Sequence, residues 1–302
     1  MISLVQVEYL LALYEERNFQ RAAERCFVTQ PTLSVQIKKA ERQLGGRLFN
    51  RDVTPLEPTP LFMKILPVLH QLNNDMRTLK QKVLQDTDGV KEELRIGVIP
   101  TIAHYLIPDM FGILNEQLKD FSLKFEEYRT AELLELLEKR KLDIIILSGP
   151  LETKGFEIQK LFIEEIAFYM KEPKKLDSVR GLIDEDPWLL TEGNCLRAQM
   201  INFCELKTKE TAKWDYQGSS IDVLIRMVDR YGGYTLIPMN YPKDHINNGN
   251  IVRMRDSVPA RSVIAGYHRK NSNYDALVKI IQAIQAVYAN DASKDWEFID
   301  WH

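Results

Sequence analysis

The chain has 302 residues, enough for two or three domains with cores of their own. Apolar residues make up 45% and charged residues 27%, proportions typical of a soluble globular protein. The three cysteines are too few, and odd in number, for a secreted disulfide framework, so we expect a cytoplasmic protein. Glutamates interrupt the N-terminal apolar stretch and no window is long enough to cross a membrane, so neither a signal peptide nor a membrane association is expected.

The distribution of charge is more informative than its total. The net charge is −3, but residues 17–51 hold eight basic residues against two acidic ones, a local charge of +6. A small basic head on an acidic body is typical of a module that binds phosphates. A solvated basic surface with no partner would give the same count, so charge alone leaves both interpretations open.

The first sixty residues predict three short helices. Apolar spacing indicates helices over residues 4–14, 19–26 and 31–43. Thr29 is a suitable N-cap for the third helix, and a proline is tolerated in a first helical turn. We expect Leu33, Ile37, Ala40 and Leu44 to be buried.

The other face of the third helix carries polar and basic side chains. Short polar side chains near a helix N-terminus, followed by lysines, are suited to base edges and phosphates in a major groove. A helix pair with no role in DNA binding is the alternative. The predicted DNA contacts are Thr29, Gln30, Pro31, Thr32, Ser34, Gln36, Lys38 and Lys39, with Arg47 and Arg51 on a wing beyond Gly45-Gly46.

Residues 58–86 predict a helix with a dimerisation seam. Apolar residues recur at alternating spacings of three and four, as in a coiled coil. Pro67 lies off this seam and should kink the helix. A helix that packs only on its own domain is the alternative. The seam begins at Phe62, and its predicted dimer contacts are Ile65, Leu69, Leu72, Met76, Leu79 and Val83.

The remaining two thirds of the chain alternate strands and helices. Strands are predicted at 94–99, 121–127 and 142–147, with helices at 102–119 and 130–140 between them, which favours a parallel sheet with crossover helices. A second set comprises strands near 156–170, 188–191, 214–217, 234–238 and 261–268, with helices at 195–206, 219–230 and 274–289.

Motifs for bound groups are absent from this part of the sequence. The histidines show no metal-ligand spacing, no glycine fingerprint follows the first strand, and no hydrolase signature is present, so no metal and no cofactor are expected. The notable segment is GNCLRAQMINFC, residues 193–204. Cys195 should lie in the first turn of a helix with Arg197 two residues on, and both features would depress the pKa of its thiol. Cys204 has apolar neighbours. Both cysteines could equally be inert core residues.

The N-terminal segment resembles the winged helix-turn-helix of LysR-type transcription regulators. The similarity covers NFQRAAERCFVTQPTLSVQIKKAERQLGGRLFNRD and is carried by residues such as Gln30, Pro31, Ser34 and Gly45. Val35 departs from the pattern, because many members have an arginine there. The resemblance implies that the linker helix forms a dimer that reads DNA with dyad symmetry.

The cysteine segment resembles the redox segment of the hydrogen peroxide sensors within this family, and IGVIPTIAHYLIP (96–108) is similar to the same proteins. The resemblance implies a reversible disulfide between a peroxidatic Cys195 and a resolving Cys204. Asn194 and Ala198 depart from the pattern, since a histidine and an aspartate are usual there. The implied pocket and its surroundings comprise Thr101, Thr130, Asn194, Arg197 and, from a looser alignment, Arg269.

The implied disulfide has a geometric consequence. Nine residues of helix rise about 13.5 Å, whereas a disulfide requires Cα atoms within about 7 Å. The segment must therefore unwind before Cys195 and Cys204 can bond, which would make it a conformational switch.

Together these observations predict an α/β protein with an all-α head. The predicted parts are a winged helix-turn-helix (1–58), a coiled-coil linker helix (59–88) and a two-lobed effector domain similar to periplasmic binding proteins (89–302), with one lobe at about 93–162 and 267–302 and the other at about 163–266. The expected partners are operator DNA, further copies of the chain in a dimer of dimers, RNA polymerase, hydrogen peroxide and a glutaredoxin-like reductant. Two alternatives remain: a regulator triggered by a small organic effector between the lobes, and a thiol peroxidase.

Overall fold

The computed structural model describes residues 1–88, 91–151, 155–182, 184–206, 216–241, 246–255, 257–289 and 295–299. The chain divides into two compact units. One comprises Met1–Glu92 with Glu138–Arg140, and the other comprises Glu93–Leu137 with Lys141–His302. No helix in the described ranges is both long enough and apolar enough to cross a membrane.

The first unit contains three short helices, a two-stranded wing and one long helix. These are α1 (Leu4–Glu16), α2 (Phe19–Arg25), α3 (Gln30–Leu44), β1 (Phe49–Asn50), β2 (Glu57–Pro58) and α4 (Pro60–Asp88). Each short helix begins where a polar side chain accepts a hydrogen bond from a backbone N–H of the first turn. Ser3, Asn18 and Thr29 supply these caps. The predicted helices and the Thr29 cap are confirmed.

The core of this unit is formed by the faces that α1, α2, α3 and the start of α4 turn toward one another. Leu33, Ile37 and Ala40 of α3 are fully buried, as predicted, together with Leu10 and Leu13 of α1. Leu44 is an exception, because the helix ends there and its side chain is 38% exposed.

The seam of α4 divides into two parts. Phe62 and Leu69 are buried in the core of their own unit, and Ile65 packs against that core. This end of the helix therefore packs on its own domain, which was the alternative to a dimer seam. Leu72, Leu79 and Val83 are exposed apolar side chains, and Met76 is half-buried. Pro67 lies within a helix that is continuous from Pro60 to Asp88.

The second unit contains the other strands and helices. They are β3 (Glu92–Val98), α5 (Pro100–Gln117), β4 (Phe121–Glu127), α6 (Thr130–Glu138), β5 (Ile144–Ser148), β6 (Glu157–Met170), α7 (Cys195–Phe203), α8 (Ile221–Tyr231), β7 (Tyr234–Pro238), β8 (Ile251–Val252), β9 (Val258–Tyr267), α9 (Tyr274–Val287) and β10 (Trp296–Phe298). Two 3-10 turns lie at Val179–Leu182 and Asn248–Asn250.

The sheet is mixed, with the order β4-β3-β5-β9-β6-β7. β3 and β5 are parallel, as the alternation of strands and helices predicted, but β9 is antiparallel to both β5 and β6. The strand predicted at 188–191 is absent: that segment is irregular and is preceded by an isolated bridge from Pro187 to Tyr234. Of the strand predicted near 214–217, residues 214 and 215 lie outside the described residues, and 216–217 are irregular.

Two hydrophobic cores give this unit its two lobes. The first contains β3, β5, α5, α6 and α9, whereas the second contains β7, α7 and α8. β6 contributes to both cores, because Phe162 lies in the first and Phe168 in the second, whereas β9 contributes residues such as Val263 to the first core. The long strand β6 therefore connects the lobes, and Glu164, which lies between Phe162 and Phe168 and pairs with Arg261 of β9, lies between the cores.

Candidate functional site

The outer face of α3 is the candidate DNA interface. Thr29, Gln30, Pro31, Thr32, Lys38 and Lys39 are exposed on it, and Ser34 and Gln36 are half-buried. The Gln36 side chain also accepts a hydrogen bond from Gln6 Nε2 of α1 at 3.1 Å. The structure thus gathers the predicted residues on one surface that the core leaves accessible.

The wing is attached to α3 through Glu41. This carboxylate accepts hydrogen bonds from the backbone N–H groups of Leu48 and Phe49 at 2.9 and 3.4 Å. It also forms an ion pair with Arg51 at 2.7 Å. Arg51, predicted to contact the DNA backbone, therefore has a structural partner as well, whereas Arg47 is exposed.

Cys195 is the first residue of α7, as predicted, and its side chain is buried. Its sulfur lies 2.8 Å from the hydroxyl oxygen of Thr130, the first residue of α6. Because α6 packs in the first lobe and α7 in the second, this hydrogen bond crosses between the lobes.

The expected depression of the Cys195 pKa is wrong. Burial raises the pKa of this thiol above its ordinary value, while the hydrogen bond with Thr130 and the charge of Arg261 lower it. Arg197 is not the cation involved, since its guanidinium donates to the carbonyl oxygen of Leu190 at 2.8 Å. Desolvation outweighs the helix N-terminus that the sequence argument relied on.

The arginine of the site is Arg261 on β9, and the looser alignment that pointed to Arg269 is corrected. Arg269 is exposed in the turn after β9. Arg261 is fully buried and donates to the hydroxyl oxygen of Thr101 at 3.0 Å and to its carbonyl oxygen at 3.1 Å. Arg261 is distinguished from other arginines by its burial in the middle of a strand. No local pattern in the sequence predicts that burial.

A carboxylate balances the buried charge of Arg261. Glu164 of β6, its cross-strand partner, accepts from Arg261 Nε at 2.7 Å and from Asn240 Nδ2 at 3.2 Å. Burial raises the pKa of Glu164, and the Arg261 guanidinium opposes that shift. No pattern in the sequence predicted this carboxylate as part of the site. The ion pair lies between the lobes and holds Thr101 at the start of α5.

Asn194 is the residue before α7. Its side-chain amide donates to the carbonyl oxygen of Thr191 at 3.0 Å and makes no cap to the helix. Farther along α7, Gln199 is fully buried and donates to the Ser148 hydroxyl at 3.0 Å and to the carbonyl oxygen of Ile299 at 3.2 Å. These contacts attach α7 to the end of β5 and to the segment after β10.

Cys204 follows α7 as its C-cap, at the opposite end from Cys195. It packs against the second core, and burial raises the pKa of its thiol to about 12 although the Tyr234 hydroxyl lowers it by hydrogen bonding. Cys26, Cys195 and Cys204 are all free thiols. The helix of nine residues between the two predicted redox cysteines therefore holds their backbones about 13.5 Å apart.

A three-helix head with a two-stranded wing, and a separate two-lobed α/β unit, define the class of one-component transcription regulators. Two family models match the chain. The helix-turn-helix of bacterial regulatory proteins of the lysR family matches residues 4–61, and the LysR substrate binding domain matches residues 87–289. The chain belongs to the LysR family.

Two relatives that match nearly the whole chain at the same identity carry different names. The DNA-binding transcriptional dual regulator OxyR of Escherichia coli is 30% identical, with 93% of this chain and 95% of that protein covered. The transcriptional regulator EstR of Acinetobacter baylyi is also 30% identical, with coverages of 94% and 97%. Among solved structures, a full-length OxyR cysteine-to-aspartate variant from Pseudomonas aeruginosa is 26% identical, with a TM-score of 0.68 over 94% of this chain and 98% of that one.

Proposed function

We propose that this chain is a DNA-binding regulator that senses hydrogen peroxide through a reversible Cys195–Cys204 disulfide. The observation that carries the proposal is the placement of two free thiols at the two ends of one short helix. The first of them contacts Thr130 and lies in the field of a buried arginine. The similarity to proteins named OxyR and hydrogen peroxide-inducible genes activator supports the same conclusion.

The first step is oxidation of Cys195. Its thiolate attacks one oxygen of hydrogen peroxide, the O–O bond breaks, and the sulfur becomes a sulfenic acid. The other oxygen leaves as hydroxide and takes the proton lost by the thiol, so that water is the second product. Arg261 favours the thiolate, and Thr101 and Thr130 supply hydroxyl groups for the peroxide oxygens. Asn194 and Ala198 cannot transfer a proton, so solvent takes this role.

The second step is disulfide formation. The Cys204 thiolate attacks the sulfenic sulfur, the S–O bond breaks, and hydroxide leaves to become water with the thiol proton. The sulfurs must first approach within disulfide range, so α7 has to unwind and the hydrogen bonds of Gln199 have to break. A dithiol of the glutaredoxin class then reduces the disulfide by thiol exchange.

The disulfide would act on DNA through the linker helix. In this proposal the DNA-binding domain comprises residues 1–58, the linker helix 59–88 and the effector domain 89–302. The exposed apolar residues Leu72, Leu79 and Val83 of the linker helix pair two chains. A two-fold dimer reads an operator with dyad symmetry, and two dimers form a tetramer. The regulator is cytoplasmic. Disulfide formation changes the orientation of its DNA-binding domains, and this alters their contact with RNA polymerase.

Thiol mapping tests the proposal. One equivalent of hydrogen peroxide should convert the Cys195 and Cys204 thiols into a linked peptide pair in a mass spectrum, and dithiothreitol should restore both thiols. The Cys195→Ser variant should form no such link and should show no peroxide-dependent change in its footprint on DNA. Unchanged free thiols in the native chain would refute the peroxide sensor.

A small organic effector is the second candidate trigger. The match to EstR favours this second candidate. EstR, whose name does not refer to peroxide, is as similar to the chain as OxyR is, and over nearly the same length. The Cys195→Ser variant separates the two: an organic effector bound between the lobes should still change DNA binding in this variant, whereas a peroxide response requires the thiol.

A further inference from the structure

Val35 has an unusual position for an apolar side chain on α3. Leu33, Ile37 and Ala40 are fully buried, and at about 100° per residue Val35 projects on the opposite side of the helix. Its side chain is 59% exposed. Val35 thus lies at the centre of the outer face, farthest from the core.

The surroundings of Val35 are polar and basic. Pro31 and Thr32 precede it by one helical turn, Lys38 and Lys39 follow it by one turn, and all four are exposed. Lys38 and Lys39 can neutralise phosphates beside a groove, and a residue one turn before them can then face the base edges. An isolated valine on a solvated face needs no explanation, but here it occupies the middle of a DNA-binding surface.

We infer that Val35 reads a thymine by packing on its C5 methyl group. In the major groove, thymine alone presents a methyl group, and apolar side chains recognise it by contact. Valine offers two methyl groups on a stiff, β-branched side chain and no hydrogen-bonding atom. It cannot contact phosphate or guanine as an arginine at this position would, so the half-site should contain a thymine with which Val35 makes its contact. The inference rests on the DNA-binding part of the proposed function and is independent of the thiols.

The test uses deoxyuridine, which differs from thymidine only by the missing methyl group. Operators are first selected from random duplex DNA with the full-length chain, and each thymine of a half-site is then replaced in turn. At one position per half-site the replacement should weaken binding by about fourfold, the effect of burying one methyl group. With Val35→Ala, the thymine and uracil operators should bind equally.

Leu44→Ala is the matched control. Leu44 is an exposed apolar residue of the same helix, at its last position and on the side toward the core, so this variant should keep the fourfold difference. The inference is overturned if no replacement by uracil weakens binding, or if Val35→Ala retains the full penalty. If the chain selects no DNA sequence, sequence-specific DNA binding is refuted. The peroxide response is tested separately by thiol mapping.

Discussion

The Thr130 hydroxyl oxygen lies 2.8 Å from the Cys195 sulfur, and this contact joins a helix of one lobe to a thiol of the other. The Thr130 hydroxyl favours ionisation of the thiol, because it can donate to a thiolate that burial otherwise disfavours. Unwinding of α7 from its first turn would break this contact.

Replacing the hydroxyl tests that relationship. Thr130→Val keeps the shape of the side chain and removes the hydrogen bond, so the Cys195 pKa should rise and reaction with peroxide should slow by about fivefold, for a hydrogen bond worth about 1 kcal/mol. Thiolate absorbance against pH and stopped-flow oxidation measure the two effects. Thr235→Val, a buried threonine that bonds to the Trp188 carbonyl oxygen, should leave the Cys195 titration unchanged.

The pH profile of peroxide reaction follows from the raised pKa of Cys195. Burial raises that pKa above the ordinary thiol value, so most of the thiol is protonated at neutral pH. Its thiolate fraction, and with it the initial rate of oxidation, should increase about tenfold per pH unit until the pH reaches the pKa. A rate that is flat above pH 6 would show instead that the thiolate is already formed at neutral pH.

The Arg261–Glu164 ion pair predicts strong coupling between two substitutions. Glu164→Leu leaves a buried guanidinium unpaired, which should lower the free energy of unfolding by about 3–5 kcal/mol, and Arg261→Met should cost a similar amount. The double variant should recover much of the loss because it buries no charge. Urea unfolding of all four proteins gives the coupling energy, and simple additivity would contradict the pairing.

The two lysines of α3 predict the salt dependence of DNA binding. Lys38→Ala and Lys39→Ala should each weaken binding to all sequences about equally and reduce the slope of log K against log salt concentration by about one. Lys119→Ala, at an exposed position in the turn after α5 in the other unit, should leave the slope unchanged. Fluorescence anisotropy at several salt concentrations measures it, and an unchanged slope for both α3 variants would contradict the proposed interface.

The sequence predicted local features well and remote ones poorly. Helix α3, its Thr29 cap and the place of Cys195 at a helix start follow from neighbours in the chain, and the structure confirms them. The arginine beside Cys195 lies sixty-six residues away on β9, and strand pairing, which is non-local, brings it there.

The pKa of Cys195 shows why motif chemistry can mislead. A helix N-terminus and a nearby Arg197 are visible in the sequence, whereas burial is not. The structure buries the sulfur and directs the Arg197 side chain to Leu190. The seam of α4 also shows that burial is not visible in the sequence. Its spacing is regular, but Leu69 packs in the core of the first unit, whereas Leu72 and Leu79 are exposed.

Amide hydrogen exchange across residues 195–204 detects whether α7 unwinds when the disulfide forms. In the reduced chain, the amides in the last turn of α7 should be protected, because each donates to a carbonyl of the preceding turn. After one equivalent of peroxide, we expect a Cys195–Cys204 link together with loss of that protection, and no loss in Cys204→Ser. A link that forms while the protection is unchanged would contradict it.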